Sequence, residues 1–408
     1  MCTDFSITAE NGDIIIGRSM ELGIELHSEL FFRSPHYEYD QCISGTDLAA
    51  LKAQEGVTLK GLNEIPAPDE MRKWRGKYGF LAMNAFKSDI VAANGMNTEG
   101  LTTGAMVLAQ SHYQAIPMSE GKPNGAHAIY YPYLTTWILS NCQNCQDVID
   151  GLTVDELTLS EGSNLTLSSS RSTPEKLIVI DPFEKIADAF KFHFPVQDAE
   201  GNSIVLEFVE GKLHISDLKP MGVLTNDPVI AWQQENVINN YADISPVNVQ
   251  GTDHLGFPGN NFTCKTNAQG TGFEDLPGSS TPVARFVRAS MMTNFAFPVA
   301  DGIAASNLAF HILNTVDIPK GTSRETAKPE LGKNQIVSDY TQWVTVSDLS
   351  NKKFYVRMYG SSVPFEVDLN ELAKNEGLYA LDKTHYQLPI KENAISITES
   401  IKASAQLK

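Results

Sequence analysis

The chain lacks most features that would announce a function directly. Its 408 residues hold five cysteines, at positions 2, 42, 142, 145 and 264, an odd number and a low density that exclude a disulfide framework. No run of about 18 apolar residues occurs, so no segment reads as a membrane-spanning helix. Positive charge is scarce: 31 Lys and Arg stand against 49 Asp and Glu, a net charge of −18. With a pI near 4.9, no patch is basic enough to neutralise phosphates, which argues against nucleic-acid or anionic-membrane partners. G-x-S-x-G, the phosphate-binding G-x-x-x-x-G-K-[ST], G-x-G-x-x-G and H-E-x-x-H are all absent. The nine histidines show no ligand spacing. The N-terminus has no basic stretch followed by an apolar one, so no signal peptide is read. The expected compartment is the cytoplasm, or the periplasm or exterior if a leader preceded Cys2.

What is present suits a large globular core: 42% hydrophobic and 20% charged residues. Cys142-Gln-Asn-Cys145 has redox or zinc spacing. However, no second pair or nearby His supplies further ligands, and the motif lies between an apolar helical run and a new helix start. A packing role at a helix end is the expectation, and a redox or thiol protein the alternative.

The informative stretch is the beginning, Met1-Cys2-Thr3-Asp4-Phe5-Ser6-Ile7. If Met1 is removed, Cys2 carries a thiol and a free α-amine on one Cα. Such an amine has an ordinary pKa of roughly 7.7–8 and can act as a general base, while the thiolate is a strong nucleophile. Alternation over residues 2–8, the turn Glu10-Asn11-Gly12-Asp13 and the apolar Ile14-Ile15-Ile16 predict a hairpin. That hairpin returns Arg18 and Glu21 to the side of Cys2.

Further strands are expected at 29–33, 78–82, 90–92, 101–108, 177–180, 189–195, 204–208, 213–215 and 222–226. Three more are expected at 340–347, 354–359 and 364–369. Helices are expected at 126–139, 148–152 (capped by Asp147), 228–241 (with Asp227-Pro228 as cap and first residue), 283–292 (after Thr281-Pro282) and 304–313. Strands and helices come in blocks rather than in strict alternation, so two antiparallel sheets with outer helices fit better than a parallel doubly wound sheet. No internal repeat is found.

Short polar strings in apolar surroundings complete the picture: Gly17-Arg18-Ser19-Met20-Glu21, Leu224-Thr225-Asn226 and Pro282-Val283-Ala284-Arg285-Phe286-Val287-Arg288. Acyl transfer by an N-terminal nucleophile needs a cation near the thiolate, a carboxylate for orientation and amide donors for the oxyanion. These strings, together with Asn97-Thr98-Glu99-Gly100-Leu101, Thr225-Asn226-Asp227-Pro228 and Leu276-Pro277-Gly278, occur in the order found in one family. The chain resembles the choloylglycine hydrolases, N-terminal nucleophile hydrolases that include bile salt hydrolases and penicillin V acylases. Phe310-His311-Ile312-Leu313, Ile318-Pro319-Lys320-Gly321 and Asp339-Tyr340-Thr341 lean toward the penicillin acylase branch.

The resemblance implies an α+β fold, a four-layer αββα sandwich. It implies one domain over 2–408, with insertions near 37–75 and 159–173. It implies hydrolysis of linear amide C–N bonds through a thioester on Cys2, without metal or cofactor. Arg18 would stabilise the thiolate, Asn226 would hold the oxyanion and Arg285 would complete the site. Glu21 stands where the best-studied members carry Asp, so its carboxylate reaches one methylene further. Met20 would line the substrate pocket. Val107 falls where relatives carry an oxyanion Asn or a Tyr, and only its backbone can serve there. The partner would be a small N-acyl amide, namely a conjugated bile salt, penicillin V or an acyl homoserine lactone, with the loops at 20–26, 60–75 and 130–165 setting the choice. The resemblance also implies a homo-oligomer, a homotetramer. The departures at Glu21 and Val107 leave a catalytically inactive binding member as an alternative.

Overall fold

The computed structural model describes residues 1–41, 71–88, 90–116, 118–119, 122–167, 176–181, 191–247, 272–325, 337–374 and 384–388. The hairpin forms as its sequence demands. β1 (Cys2–Thr8) and β2 (Ile14–Leu22) pair in register from Cys2↔Met20 to Thr8↔Ile14. Gly12 takes φ 91° in the turn, a conformation glycine adopts at little cost. Alternation then divides the hairpin's side chains. Cys2, Asp4, Arg18 and Met20 share one face, and Thr3 and Phe5 share the other. Gly17 is required opposite Phe5, because a Cβ there would lie 2.4 Å from the ring.

Further along run β3 (Leu30–Arg33), β4 (Phe80–Asn84), β5 (Ala92–Asn97), β6 (Thr102–Gly104), β7 (Met106–Val107) and β8 (Glu156–Thr158). β9 (Phe192–Gln197), β10 (Ser203–Val209), β11 (Lys212–Asp217), β12 (Val223–Leu224) and β13 (Ser323–Glu325) follow. The last are β14 (Val337–Asp348), β15 (Lys353–Met358), β16 (Phe365–Asp368) and β17 (Thr384–Tyr386). One sheet has seven strands in the order β12-β1-β2-β14-β15-β16, with β13 on β14. The other has ten, β8-β11-β10-β9-β6-β5-β4-β3-β17, with β7 also on β9. Within these sheets every pairing is antiparallel except β8 with β11.

The α-helices among the described residues are α1 (Leu134–Asn141), α2 (Cys145–Gly151), α3 (Ile230–Asn240), α4 (Pro282–Phe295), α5 (Gly302–Val316) and the short α6 (Leu369–Ala373). α4 and α5 cover the outer face of the first sheet, and α1 lies on the second. One apolar cluster joins Phe5, Phe286, Ala309 and Phe354 to Met83, Met96 and Met106 of the second sheet. Another packs Phe194, Leu206 and Phe208 against Trp137, Ile138 and Val148. Helix, sheet, sheet and helix thus stack as the expected αββα sandwich.

Several local expectations shift. The helix expected over 126–139 is divided: Ala128–Tyr130 is a short strand, Tyr131–Tyr133 a 3₁₀ turn, and α1 begins only at Leu134. Pro132 and the three adjacent tyrosines favour that entry over a regular helix. Asn144, not Asp147, caps α2; its side chain accepts from the Asp147 N–H at 3.0 Å. Pro228 follows a cis peptide, and α3 starts at Ile230. The expected strand at 101–108 breaks at Ala105 into β6 and β7. Thr281 caps α4 as expected. The ends of the 37–75 segment close on each other as Glu38–Asp40 paired with Lys73–Arg75, while 42–70 lie outside the described residues. So do 168–175 of the Ser-rich segment.

Asn97 ties the second sheet to α1. Its Nδ2 donates to the carbonyls of Leu139 (3.0 Å) and Cys142 (2.8 Å), and its Oδ1 accepts from the N–H groups of Glu99 and Leu101, each at 3.0 Å. Cys142 and Cys145 are free and buried. The Cys145 N–H donates to Asp198 and its thiol contacts the carbonyls of Val196 and Asn202. Burial pushes both thiols well above their ordinary range, which suits packing and opposes redox reactivity. Replacing Asn97 by Ala strands two N–H groups and two carbonyls. It is expected to cost about 2–4 kcal/mol by chemical denaturation and to speed alkylation of Cys142 in the native protein. Unchanged stability and labelling would refute this tether.

Candidate active site

Cys2, Arg18, Glu21, Asn226 and Arg285 meet where the start of β1 and the end of β2 approach the start of α4. All five are essentially excluded from solvent. Met1 is attached in this structure, so the nitrogen of Cys2 is a peptide amide occupying the place of the α-amine. That nitrogen donates to Asn226 Oδ1 at 2.6 Å. The thiol lies 3.7 Å from Arg18 Nη2 and 3.7 Å from Met20 Sδ. The Met1 carbonyl accepts from the Glu21 N–H at 2.8 Å, and the Met1 amine donates to the Glu21 carbonyl.

Arg18 reaches the thiol through the gap between the sheets. Its Nη2 also donates to the Ala105 carbonyl at 2.6 Å, a group exposed by the break between β6 and β7. Gly104 leaves the necessary space, since a Cβ there would lie 3.2 Å from Arg18 Nη1. Nε and Nη1 of Arg18 are buried and have no partner among the described residues.

Asn226 follows β12. Its Oδ1 accepts from Cys2 and from Arg285 Nη2 (2.8 Å), while its Nδ2 donates to the Val107 carbonyl at 2.8 Å. The amide orientation follows from the partners: a guanidinium and an N–H can only donate, and a carbonyl can only accept. One Nδ2 hydrogen remains beyond the bond to Val107. The backbone of Val107 does meet the site, its carbonyl orienting Asn226.

Arg285 stands on the first turn of α4, beneath β1. Nη1 donates to the Cys2 carbonyl (2.5 Å) and to Thr3 Oγ1 (2.6 Å), and Nε to the Ser280 carbonyl (3.0 Å). Its partners are therefore the backbone and side chains around the nucleophile. Burial lowers its pKa, and Glu21 and Cys2 pull it back up.

A β-bulge between Met20 and Glu21, where β2 pairs with β14, sets the aim of Glu21. Its Oε1 accepts from Thr341 Oγ1 at 3.1 Å, and Oε2 lies 4.0 Å from Arg285 Nη1. Oε2 is otherwise without a hydrogen-bond partner among the described residues. Burial raises the Glu21 pKa, while Arg285 and the N-terminal ammonium oppose that rise.

Four supporting residues lie outside the strings around Cys2, Asn226 and Arg285. His193 Nε2 sits 3.0 Å from the Thr225 carbonyl, and its Nδ1 sits 3.2 Å from Glu207. Gln233 Nε2 donates to the carbonyls of Asn226 and Asp227 at 3.2 and 3.3 Å. Thr341 holds Glu21. None lies in a local pattern with chemical meaning; each is brought in by the tertiary fold. Among the described residues no group of three or more His, Cys, Asp and Glu is placed to hold a metal, and no helix is long and apolar enough to cross a membrane.

Residues 2–377 match the family described as linear amide C–N hydrolases, choloylglycine hydrolase family. The bile salt hydrolase/transferase of Clostridium perfringens is 23% identical over 372 residues, covering 91% of this chain and 93% of that protein. A conjugated bile acid hydrolase of Lactobacillus gasseri is 30% identical over 358 residues, 87% and 92% of the two chains. The penicillin V acylase of Pectobacterium atrosepticum is 24% identical over 315 residues, 74% and 68%. Among solved structures, the C2A mutant of the C. perfringens conjugated bile acid hydrolase aligns with TM-score 0.68 at 22% identity, covering 97% of this chain and all of that one. The penicillin V acylase of Agrobacterium tumefaciens aligns with TM-score 0.59 at 20% identity, covering 91% and 87%. The fold is thus that of the bile acid hydrolases and penicillin V acylases, and the chain belongs to the linear amide C–N hydrolases of the choloylglycine hydrolase family.

Proposed function

We propose that Cys2, once it is the N-terminal residue, is both nucleophile and base in the hydrolysis of N-acyl amides. The observation that carries this reading is the arrangement around one residue: its nitrogen is held 2.6 Å from Asn226 Oδ1 and its sulfur 3.7 Å from the Arg18 guanidinium. With Met1 attached the nitrogen is an amide and has no basicity. With Met1 removed it becomes an amine held by the same acceptor, and the nearby Glu21 oxygen without a partner can accept a further hydrogen.

The steps follow from these positions. The amine takes the thiol proton, and Arg18 favours the resulting thiolate. The sulfur attacks the substrate carbonyl carbon, whose π electrons move to oxygen. The remaining Nδ2 hydrogen of Asn226 is available to that oxyanion, and the bond to the Val107 carbonyl keeps it aimed. As the C–N bond breaks, the ammonium of Cys2 returns a proton to the leaving nitrogen, and a thioester remains. Water, deprotonated by the amine, attacks the thioester and releases the acid and the thiol. Arg285 acts by fixing the Cys2 carbonyl and Asn226, not by touching the sulfur.

Met20 lies beside the thiol, and Met20 and Val107 provide apolar surface for an acyl group. The relatives' names support bile salts and penicillin V as substrate classes, and acyl homoserine lactones share the same apolar-acyl, polar-amine pattern.

Mass analysis of the intact protein is expected to show Cys2 as the first residue. Release of glycine, taurine, 6-aminopenicillanic acid or homoserine lactone from their acyl conjugates is expected to identify the substrate. Cys2→Ala should reduce that release at least about a thousandfold, and retained hydrolysis would sink the mechanism. If Met1 is retained and no conjugate is cleaved, the inactive binding reading replaces this one.

Asn226→Ala removes an oxyanion donor and an acceptor for both Cys2 and Arg285. A fall in kcat of about 10²–10³ is expected. A rise in KM alone would show that Asn226 serves binding and not the transition state.

A further inference from the structure

Asp4 is a charged residue buried two positions from the nucleophile, and the mechanism above leaves it without a task. Its solvent exposure is 1%. The β1–β2 register places it directly opposite Arg18, and places Cys2 opposite Met20. Because side chains alternate along a strand, Cys2 and Asp4 project from the same face and flank Arg18 from the neighbouring strand, one diagonally and one directly. The guanidinium that contacts the sulfur therefore also acts on a second acidic group. Arg18 has two buried nitrogens without a hydrogen-bond partner among the described residues, so its charge is not neutralised by a close pairing elsewhere.

Asp4 is also held in place. Gln197 Nε2, from β9 of the other sheet, donates to its Oδ1 at 2.5 Å. The groups facing Asp4 are Arg18 on β2 and Gln197 and His193 on β9, with Glu207 on β10 behind His193. On its other flank stands apolar Leu224 of β12. A carboxylate in this position divides the Arg18 field between itself and the sulfur, and a protonated one leaves that field to the sulfur.

We propose that Asp4 is a positioning residue that sets, through Arg18, how readily the Cys2 thiolate forms. The proposal rests on the reading of Cys2 as nucleophile but requires no particular substrate. Desolvation raises the Asp4 carboxyl to about 6, against the opposing pull of Arg18, Gln197 and His193. This places the change of Asp4 charge within the working range of a thiol enzyme. The sign follows from electrostatics. Above pH 6 the ionised Asp4 weakens the hold of Arg18 on the thiolate. Below pH 6 the neutral Asp4 strengthens it, so acidification depletes the thiolate less steeply than a lone thiol would allow. The two groups then titrate as a coupled pair.

The test is the rate of Cys2 alkylation by iodoacetamide between pH 5 and 8, read by peptide mass so that Cys42, Cys142, Cys145 and Cys264 are scored separately. The wild-type profile is expected to show an inflection near pH 6 in addition to the steps of the thiol and amine. Asp4→Asn keeps an oxygen acceptor for Gln197 and removes the charge. It should abolish that inflection and raise the rate at pH 7 by about three- to tenfold, tenfold corresponding to one unit of displacement. Gln197→Met leaves Asp4 present but withdraws the donor that favours its ionised form. The inflection should move to higher pH, with a smaller rise in rate.

A wild-type profile without an inflection near pH 6, or an Asp4→Asn profile that superimposes on it, overturns the proposal. So does a Gln197→Met inflection that stays in place or moves to lower pH. The wild-type profile supports or overturns the proposal even if both variants fail to fold. If no acyl amide is cleaved while the inflection is present and is lost in Asp4→Asn, the substrate reading fails and the role of Asp4 stands.

Discussion

The Asn226 carboxamide joins four distant parts of the chain, and the candidate site depends on it. Its oxygen accepts from the nitrogen of Cys2 and from Arg285, and its nitrogen donates to the carbonyl of Val107. Strand β1, the end of β12, the short strand β7 and helix α4 are thus fixed to one planar group. A carboxamide suits the task because it offers acceptor and donor at a fixed separation without carrying a charge. A carboxylate in its place could not donate to Val107, and an aliphatic side chain would leave buried donors unpaired at a cost of about 1–3 kcal/mol each.

Around that neutral hub lies a set of buried charges. Arg18 and Arg285 are cations; Glu21 and Asp4 are acids whose pKa values burial raises. Taking such groups out of water costs several kcal/mol per ion unless they are paired and hydrogen-bonded. Arg285 is well satisfied, with bonds from all three of its nitrogens. Arg18 and Glu21 are not, since each retains buried polar atoms without a partner among the described residues. Incomplete satisfaction in the interior is destabilising by itself. It falls on two side chains of the candidate site, Arg18 beside the thiol and Glu21 beside Arg285.

The part of the fold legible in the sequence is local. The Asn11-Gly12 turn and the alternation on either side of it define the first hairpin. Thr281-Pro282 marks the start of α4 because the cap and the fixed proline φ act within one turn. The same reasoning misplaces the start of α3 and the cap of α2. At Asp227-Pro228 the peptide is cis and the Asp227 side chain is drawn away to the Ala109 N–H at 2.9 Å. At α2, the side chain of Asn144 takes the orphan N–H, and that N–H belongs to Asp147 itself. Val107 shows the limit most clearly. Its side chain suggests only apolar surface, and the contribution that matters is a carbonyl made available by a break in strand pairing at Ala105.

The sequence alone determined the hairpin that returns Arg18 and Glu21 to Cys2, the block-wise order of strands and helices, and the strings around Asn226 and Arg285 that mark the family. These rest on residue type, turn chemistry and side-chain period, all of which act over a few residues. Tertiary structure decided which backbone carbonyls meet the arginines, which oxygen of Glu21 is left unpaired, and that His193, Glu207 and Gln233 brace the Thr225–Asn226 segment. It also decided that Asp4 stands buried beside Arg18 with Gln197 upon it. Those relations join elements far apart in the chain; Asp4 and Gln197, on strands of two different sheets, are separated by more than 190 residues. No local period encodes them, because the forces that set them are burial and hydrogen-bond satisfaction in the assembled core.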